Sequence, residues 1–292
     1  MILPLLARFN PGDISVRHAY TGDRIRLHSY RHKGYWFYGK RREAATMSRF
    51  RRLIPPGATV LEIGGHIGYV GLYLASLVGR HGRVYIFEPG PNNLPYLKHN
   101  TRAKENITVV EAAAGSRNQR QTFFIENLTG QNNSFLGDFE ALKANKRNAY
   151  AADVPVEEVS VEVVTLDDFC RRRAIRPQFI KIDVEGFELE VLKGAAGLLR
   201  NVRPCLMVEI QADHPAIIEL ATRAGYRVFT PEGKLLERAE DFRPPRLNTF
   251  WLPEQSPQAD ESSPGWLAAK TNPVQHALGS EFRFGQQPPG RV

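Results

Sequence analysis

Three carboxylates are packed into "KIDVEGFELEVLKGA", residues 181–195: Asp183, Glu185 and Glu188 stand where an apolar strand-like run meets an amphipathic helix pattern. Like charges repel, so the crowding asks for a cationic or proton-donating visitor: a sulfonium, a divalent ion or a hydroxyl to be deprotonated. Asp183, ending "FIKID", is the first candidate for a general base; Glu185, Glu209 at the end of "LMVEI" and His214 in "QADHP" are alternatives. The competing role for Asp183 is an N-terminal cap of the helix that follows. Glu188 is expected to face solvent and to pair with Lys181 or Lys193. Asp183 and Glu209 sharing Mg²⁺ is the weaker alternative, because two carboxylates are not a recognisable ligand set, and no metal ligand is assigned.

A second constellation lies at "VLEIGGHIGYVGLYLA", where a strand runs into Gly64, Gly65 and Gly68 and an apolar helix begins. Glycines there let the chain turn tightly and let a ligand approach the backbone. The dinucleotide spacing G-x-G-x-x-G is not met, since Ile63 holds the place of its first glycine, so nicotinamide binding is disfavoured. What fits is E-x-G-x-x-x-G, with Glu62, Gly64 and Gly68, followed by Glu88 at the end of "VYIFEP". A carboxylate ending the second strand can accept hydrogen bonds from both ribose hydroxyls of a nucleoside. Glu62 beside the turn favours a cofactor with an ammonium and a sulfonium and repels one with a pyrophosphate; S-adenosylmethionine has those properties. Ala112 and Ala113 in "EAAAGS" offer small residues against which an adenine ring can lie. Ile67 and Tyr69 are expected in the core.

The elements that must position these residues are legible between Thr59 and about Leu252. Short β-branched runs ("TVLEI", "RVYIF", "ITVV", "FIKID", "CLMVEI", "YRVF", "TFWL") alternate with helix-period stretches. That rhythm predicts an α/β domain with a doubly wound, mostly parallel sheet covered on both faces. "ELEVLKGAAGLLRN" reads as one helix with Leu189, Leu192, Ala196 and Leu199 on a single stripe. In such a sheet ligands bind at the carboxyl ends of the strands, so Asp183, Gly64 and Glu88 should face one crevice. Residues from about 118 to 164 read as a hairpin-like pair of strands around a long polar loop, in which Asn132, Asn133 and Ser134 offer hydrogen bonds suited to a polyol. Residues 254–292 are rich in Pro, Gln, Ser and Gly and predict a tail that does not fold alone.

The chain has 292 residues, enough for one full core, and its two cysteines, Cys170 and Cys205, show neither disulfide nor zinc spacing. The opening apolar run is too short to span a bilayer and lacks a cationic lead, so a soluble, cytoplasmic protein is expected. The net charge of +8 clusters early, in "RHKGYWFYGKRREAATMSRFRR", and admits a solvated flank or a surface for acidic groups. A nucleic-acid methyltransferase is disfavoured: "DVEGF" stands where base-methylating enzymes place Asn or Asp before Pro-Pro-aromatic, and Cys205 opens an apolar strand, as a small buried residue would.

The sequence resembles the FkbM family of S-adenosylmethionine-dependent methyltransferases, which have the class I methyltransferase fold. The likeness is carried by "PPGATVLEIGGHIGYVGLYLA", "VYIFEPGPNNLPYLKHN", "VVTLDDF", "FIKIDVEGFELEVLKGA" and "CLMVEI", in that order, and covers about residues 34–253. It implies a seven-stranded sheet with an antiparallel last strand, and a domain spanning 54–253 behind an extension, 1–53, whose "GYWFYGKRREAATM" forms an edge strand and a helix closing the pocket. Trp36, Phe37 and Tyr38 are expected to pack. The resemblance implies methylation of a hydroxyl on a saccharide, glycolipid or secondary metabolite, with Glu43 helping to hold the methionine amine and with Gly64, Gly65, His66, Gly68, Glu88, Pro89, Ala112, Ala113 and Asp183 around the cofactor. Gly65 and His66 replace the family's usual Ala-Asn, so a binding module without catalysis is the other reading. Oligomeric state is not legible.

Overall fold

The structure, a computed structural model, describes residues 11–127, 129–137, 156–211, 214–238, 241 and 247–254. An N-terminal hairpin of β1 (Asp13–Arg17) and β2 (Arg24–His28) leads into α1 (Lys33–Phe37), a single 3₁₀ turn at Gly39–Arg41, and α2 (Ala44–Leu53). The alternating part follows with β3 (Thr59–Ile63), α3 (Tyr69–Val78), β4 (Arg83–Phe87), α4 (Leu94–Thr101) and β5 (Ile107–Val110). After β6 (Ala113–Ala114) come β7 (Gln119–Glu126) and β8 (Val156–Val164). The second half is α5 (Leu166–Arg173), β9 (Phe179–Ile182), α6 (Glu188–Lys193), α7 (Ala196–Asn201), β10 (Cys205–Ile210), α8 (His214–Arg223), β11 (Tyr226–Phe229), β12 (Leu235–Leu236) and β13 (Leu247–Pro253).

The main sheet has the order β12-β11-β13-β10-β9-β3-β4-β5. Strands β10, β9, β3, β4 and β5 pair in parallel, and β13 is antiparallel between β10 and β11. The seven expected strands are therefore present, and the two-residue β12 adds an eighth at the edge. Central strands buried on both faces must be nearly all apolar, and β9, "FIKI", is buried at each position. Lys181 is the exception to that composition, and a buried ammonium must be paired.

Two core layers flank the sheet. One holds Leu72, Ile86, Phe179 and Phe250 together with Ile25, Leu27, Met47 and Phe50, so the N-terminal extension shares the core of the domain. The other holds Leu61, Phe87, Leu192, Leu199 and Trp251. Each such buried side chain contributes roughly 1.5–3 kcal/mol by leaving water.

Three expectations need correction. The segment at residues 34–47 contains no strand: it is helical, and the strands of the extension are β1 and β2, upstream of it. "ELEVLKGAAGLLRN" is two helices, α6 and α7: the Gly194 carbonyl accepts from the Asp167 N–H at 3.0 Å, and the Asp167 carboxylate accepts from the Gly197 and Leu198 N–H groups at 2.7 and 2.8 Å and so starts α7 afresh. Leu192 and Leu199 remain buried while Leu189 and Ala196 are half-buried. Phe37 and Tyr38 do not pack but stand 52% and 53% exposed. The hairpin-like pair is observed as β7 and β8, antiparallel, with β6 parallel to β8 in a separate three-stranded sheet. The long loop from 138 to 155, residues 1–10 and the tail from 255 on lie outside the described residues.

Candidate active site

The glycine turn is built from backbone contacts. Gly64 has φ +88°, and a Cβ on it would lie 1.9 Å from the Asp183 carbonyl oxygen. The Gly64 and Gly65 N–H groups both donate to the Phe87 carbonyl, at 3.1 and 3.0 Å, which ties the end of β3 to the end of β4. A Cβ on Gly65 would meet Ile86 Cγ2 at 2.2 Å and one on Gly68 would meet Leu97 Cδ1 at 2.9 Å, so these two glycines serve packing and lie behind the cavity wall. His66 has φ +47°, a left-handed conformation that Asn, Asp and His tolerate better than most residues. Its backbone N–H donates to Glu88 Oε2 at 2.7 Å. Its ring is a neutral relay: Nε2 donates to the Thr129 carbonyl at 3.2 Å and Nδ1 accepts from the Tyr35 hydroxyl at 2.9 Å. Burial pulls this imidazole down to about 3, with Arg42 and Lys181 adding to the effect against the Thr129 bond.

Glu88, 4% exposed, also accepts from the Gly90 N–H at 2.9 Å and from Asn93 Nδ2 at 3.2 Å. Burial pushes it up to about 7 against those hydrogen bonds. It faces a cavity of about 260 Å³ that is also lined by Gly64, His66, Pro89 and Ala113, and by Glu43, Asp183, Glu185 and Glu209. Strand order explains the layout, for the ends of β10, β9, β3 and β4 present Glu209, Asp183, Gly64 and Glu88 in a row, and Ala113, opening β6 shortly after β5, continues it. At ~4.8 Å per strand that row spans roughly 19 Å. Ala113 is buried beside Ala114, and Ala112 is buried behind the wall. A carboxylate between backbone donors, a side-chain-free approach at Gly64 and small residues at one end fit an adenosyl group.

At the other end, Asp183, Glu185 and Glu209 bring one carboxylate oxygen each to within 4.8 Å of one another. Glu185 is buried with φ +55°, a strained conformation for a residue with a side chain. Ser134 Oγ donates to its carbonyl at 2.8 Å, and Gln211 Nε2 donates to its carboxylate at 3.0 Å and to Glu209. The amide thus holds the Glu185–Glu209 edge. Behind the trio lies Lys181, 3% exposed, with Nζ 3.1 Å from the Gly64 carbonyl, 3.2 Å from Asp183 Oδ2 and 3.8 Å from Glu62 Oε1. Burial works against its charge, but Asp183 and Glu62 outweigh it and hold the ammonium above its ordinary value. Glu62, 1% exposed, is pushed up to about 8 by burial, opposed by Lys181 and reinforced by Asp183 and Glu88. Lys181 thus pairs most closely with Asp183, and Glu62, the more distant of its two acids, does not line the cavity.

Other expected roles change in the structure. Glu188 does not face solvent: it is 1% exposed, and its Oε1 accepts from the Gly186 and Val184 N–H groups at 3.0 and 3.3 Å, closing the turn that carries Glu185. Lys181 pairs with Asp183, and Lys193 with Glu190. Asp183 is not a cap, since the N-cap position of α6 is Phe187. Glu43 lies at the cavity wall 3.3 Å from Arg42, whose guanidinium sits 4.4 Å over the Tyr35 ring. Asn133 and Ser134 use their groups internally: Asn133 accepts from the Glu126 N–H at 2.9 Å and donates to Asn92 at 2.8 Å. Asn132 is buried and outside the lining. His214 opens α8, and its side chain lies outside the described residues. Tyr35, Arg42, Asn93, Lys181 and Gln211 were not singled out for the site by sequence reasoning; Lys181, a cation within an apolar strand run, carried the one usable signal.

A parallel sheet with a glycine turn after its first strand, a carboxylate ending the next and an antiparallel strand inserted near one edge defines a class I, Rossmann-like methyltransferase. The sequence profile of the Methyltransferase FkbM domain matches residues 62–228, and the chain belongs to that family. Among solved structures, a methyltransferase FkbM from Methylobacillus flagellatus KT is 17% identical with a TM-score of 0.44, over 70% of this chain and 50% of that one, so this chain spans about half that relative's length. A putative rRNA methylase from Clostridium thermocellum is 10% identical with a TM-score of 0.43, over 72% and 93%. Aeropyrum pernix fibrillarin in complex with S-adenosyl-L-methionine is 12% identical with a TM-score of 0.41, over 81% and 87%. No curated protein matches the chain. Among the described residues no helix is long and apolar enough to cross a membrane.

Proposed function

We propose that the protein is an O-methyltransferase that acts on a hydroxyl of a saccharide, glycolipid or secondary metabolite. The observation that supports this reading is the convergence of Asp183, Glu185 and Glu209 on the cavity that Glu88 also faces. S-adenosylmethionine, when bound, supplies a methyl group on a cationic sulfur. Glu88 would accept the ribose hydroxyls, Gly64 would let the donor lie against backbone, and Pro89 and Ala113 would leave room for the adenine ring. Glu43 at the wall would hold the donor's ammonium.

An alcohol has a pKa far above neutrality and needs a base as its oxygen is alkylated. Lys181 places a positive charge 3.2 Å from Asp183, and opposite charges at that distance favour a carboxylate. Gln211 meanwhile fixes Glu185 and Glu209. Asp183 is therefore the group that takes the proton, with Glu185 and Glu209 orienting the hydroxyl and keeping the field negative. Asp183→Asn is expected to bind S-adenosylhomocysteine in calorimetry while losing about a hundredfold or more of turnover. Unchanged methyl transfer to a hydroxyl acceptor would reject this role.

A further inference from the structure

The stretch from Tyr30 to Arg42, "YRHKGYWFYGKRR", contains five aromatic residues, five Lys or Arg residues and no acid. The donor cavity uses Tyr35 and Arg42 from it, and the rest is not accounted for by methyl transfer. Phe37 and Tyr38 stand exposed with their rings edge to face at 5.1 Å, and Trp36 meets Phe37 at 6.2 Å. Lys40 and Arg41, both exposed, follow directly. Across the hydrogen-bonded bridge Tyr35–His66–Thr129 lies the strap of residues 129–137, on which Leu136 is 41% exposed next to the cavity-lining Phe135. Phe37, Tyr38 and Leu136 are the exposed large hydrophobic residues among the described ones, and all three belong to segments that line the cavity.

We propose that this rim docks the protein on an anionic lipid surface, so that the acceptor hydroxyl belongs to the head group of a membrane amphiphile. The second clause rests on the O-methyltransferase reading; the docking itself does not. Aromatic rings with an apolar body suit the boundary between head groups and acyl chains, and flanking cations suit its negative potential. A nucleic acid fits the same charges less well. Its phosphodiester chain would have to reach past Glu43, Asp183, Glu185 and Glu209, and Leu136 offers a base no ring to stack on. A bilayer meets only the rim, and the head group alone enters the acidic cavity.

The test is sedimentation of the full chain with phosphatidylcholine vesicles with and without phosphatidylglycerol, over a series of salt concentrations, with single-stranded RNA retention measured in parallel. Binding is expected to need phosphatidylglycerol and to weaken with salt. Lys40→Gln and Arg41→Gln should each weaken it about fivefold, and Phe37→Ser about tenfold, while S-adenosylhomocysteine binding stays unchanged in all three. No binding to the mixed vesicles, equal binding to the neutral ones, or RNA retention in place of vesicle binding overturns the proposal. Failure of the wild-type chain to bind S-adenosylhomocysteine would instead count against the methyltransferase reading, whatever the vesicles show.

Discussion

Lys181 is the residue on which the site's electrostatics turn. Its three donors meet one backbone carbonyl and two acids, so it joins the glycine turn to the carboxylate nearest the proposed chemistry. Removing one member of a fully buried pair costs 3–5 kcal/mol, but Asp183 is 31% exposed, so Lys181→Met is expected to cost about 2 kcal/mol. Thermal melting measures that loss, and calorimetry with S-adenosylhomocysteine should show weaker binding, because the Gly64 carbonyl and Asp183 lose their common anchor. The spacing of the sequence singled out Gly64, Glu88 and a crowd of Asp183, Glu185 and Glu188, whereas Glu209 takes the place of Glu188 in the trio that the structure brings together. It did not find Lys181's partners or the Arg42–Tyr35 contact, because each depends on residues brought together by strand order or by the packing of α1. Glu188 was misread for a related reason: helix periodicity describes a regular helix and not the tight turn before it, where the carboxylate closes back on Val184 and Gly186.

Among the elements, the strands of the main sheet were readable because β-branched runs between helix-period stretches leave few alternatives, and β3, β4, β5, β9, β10, β11 and β13 all appear. The break between α6 and α7 was not, since "VLKGAAGLLRN" has good helical spacing and its interruption depends on Asp167, distant in the chain, which takes the Gly194 carbonyl and the Gly197 and Leu198 N–H groups, while Gly194 itself lies against the Gly115 carbonyl. Gly194 is not there for conformational freedom but for proximity. Gly194→Ala would bring a methyl to 1.9 Å from that carbonyl, and a loss of about 3 kcal/mol is expected, roughly 9 °C in melting temperature. Because α6 follows directly on the Glu185 turn, the same variant should also weaken turnover more than donor-product binding. The β1–β2 hairpin escaped reading because a short charged pair such as "DISVR" and "RIRLH" has little apolar signal, and its inward residues are defined only by the core they join.

For the molecule as a whole, buried titratable groups shape the pH dependence of stability. Burial is the dominant cause that lifts Glu62, Glu88 and Glu188 from the usual 4.5 to about 8, 7 and 7, and lowers His66 and His32 from 6.5 to about 3 and 2. An acid with a raised folded value supports the fold fully below 4.5, and that support is lost as pH rises through 7 and 8. A histidine with a lowered value favours the fold above 6.5, and that contribution is lost as pH falls from there. The melting temperature is therefore expected to fall between about pH 6.5 and 8, where only the acids act, and to fall again below about pH 4.5. Scanning fluorimetry across buffers measures both limbs, and Glu62→Gln should flatten the alkaline one.

Those same acids make the cavity a store of protons. With Glu88 on the wall near 7 and Glu62 behind it near 8, these acids are partly neutral around pH 7, and a visiting cation shifts them toward the charged form. Loading a cationic donor would therefore release protons into the medium, and a product with a neutral sulfur would let them return. Each catalytic round breathes protons in and out, and the heat of binding takes on the ionisation enthalpy of whatever buffer receives them.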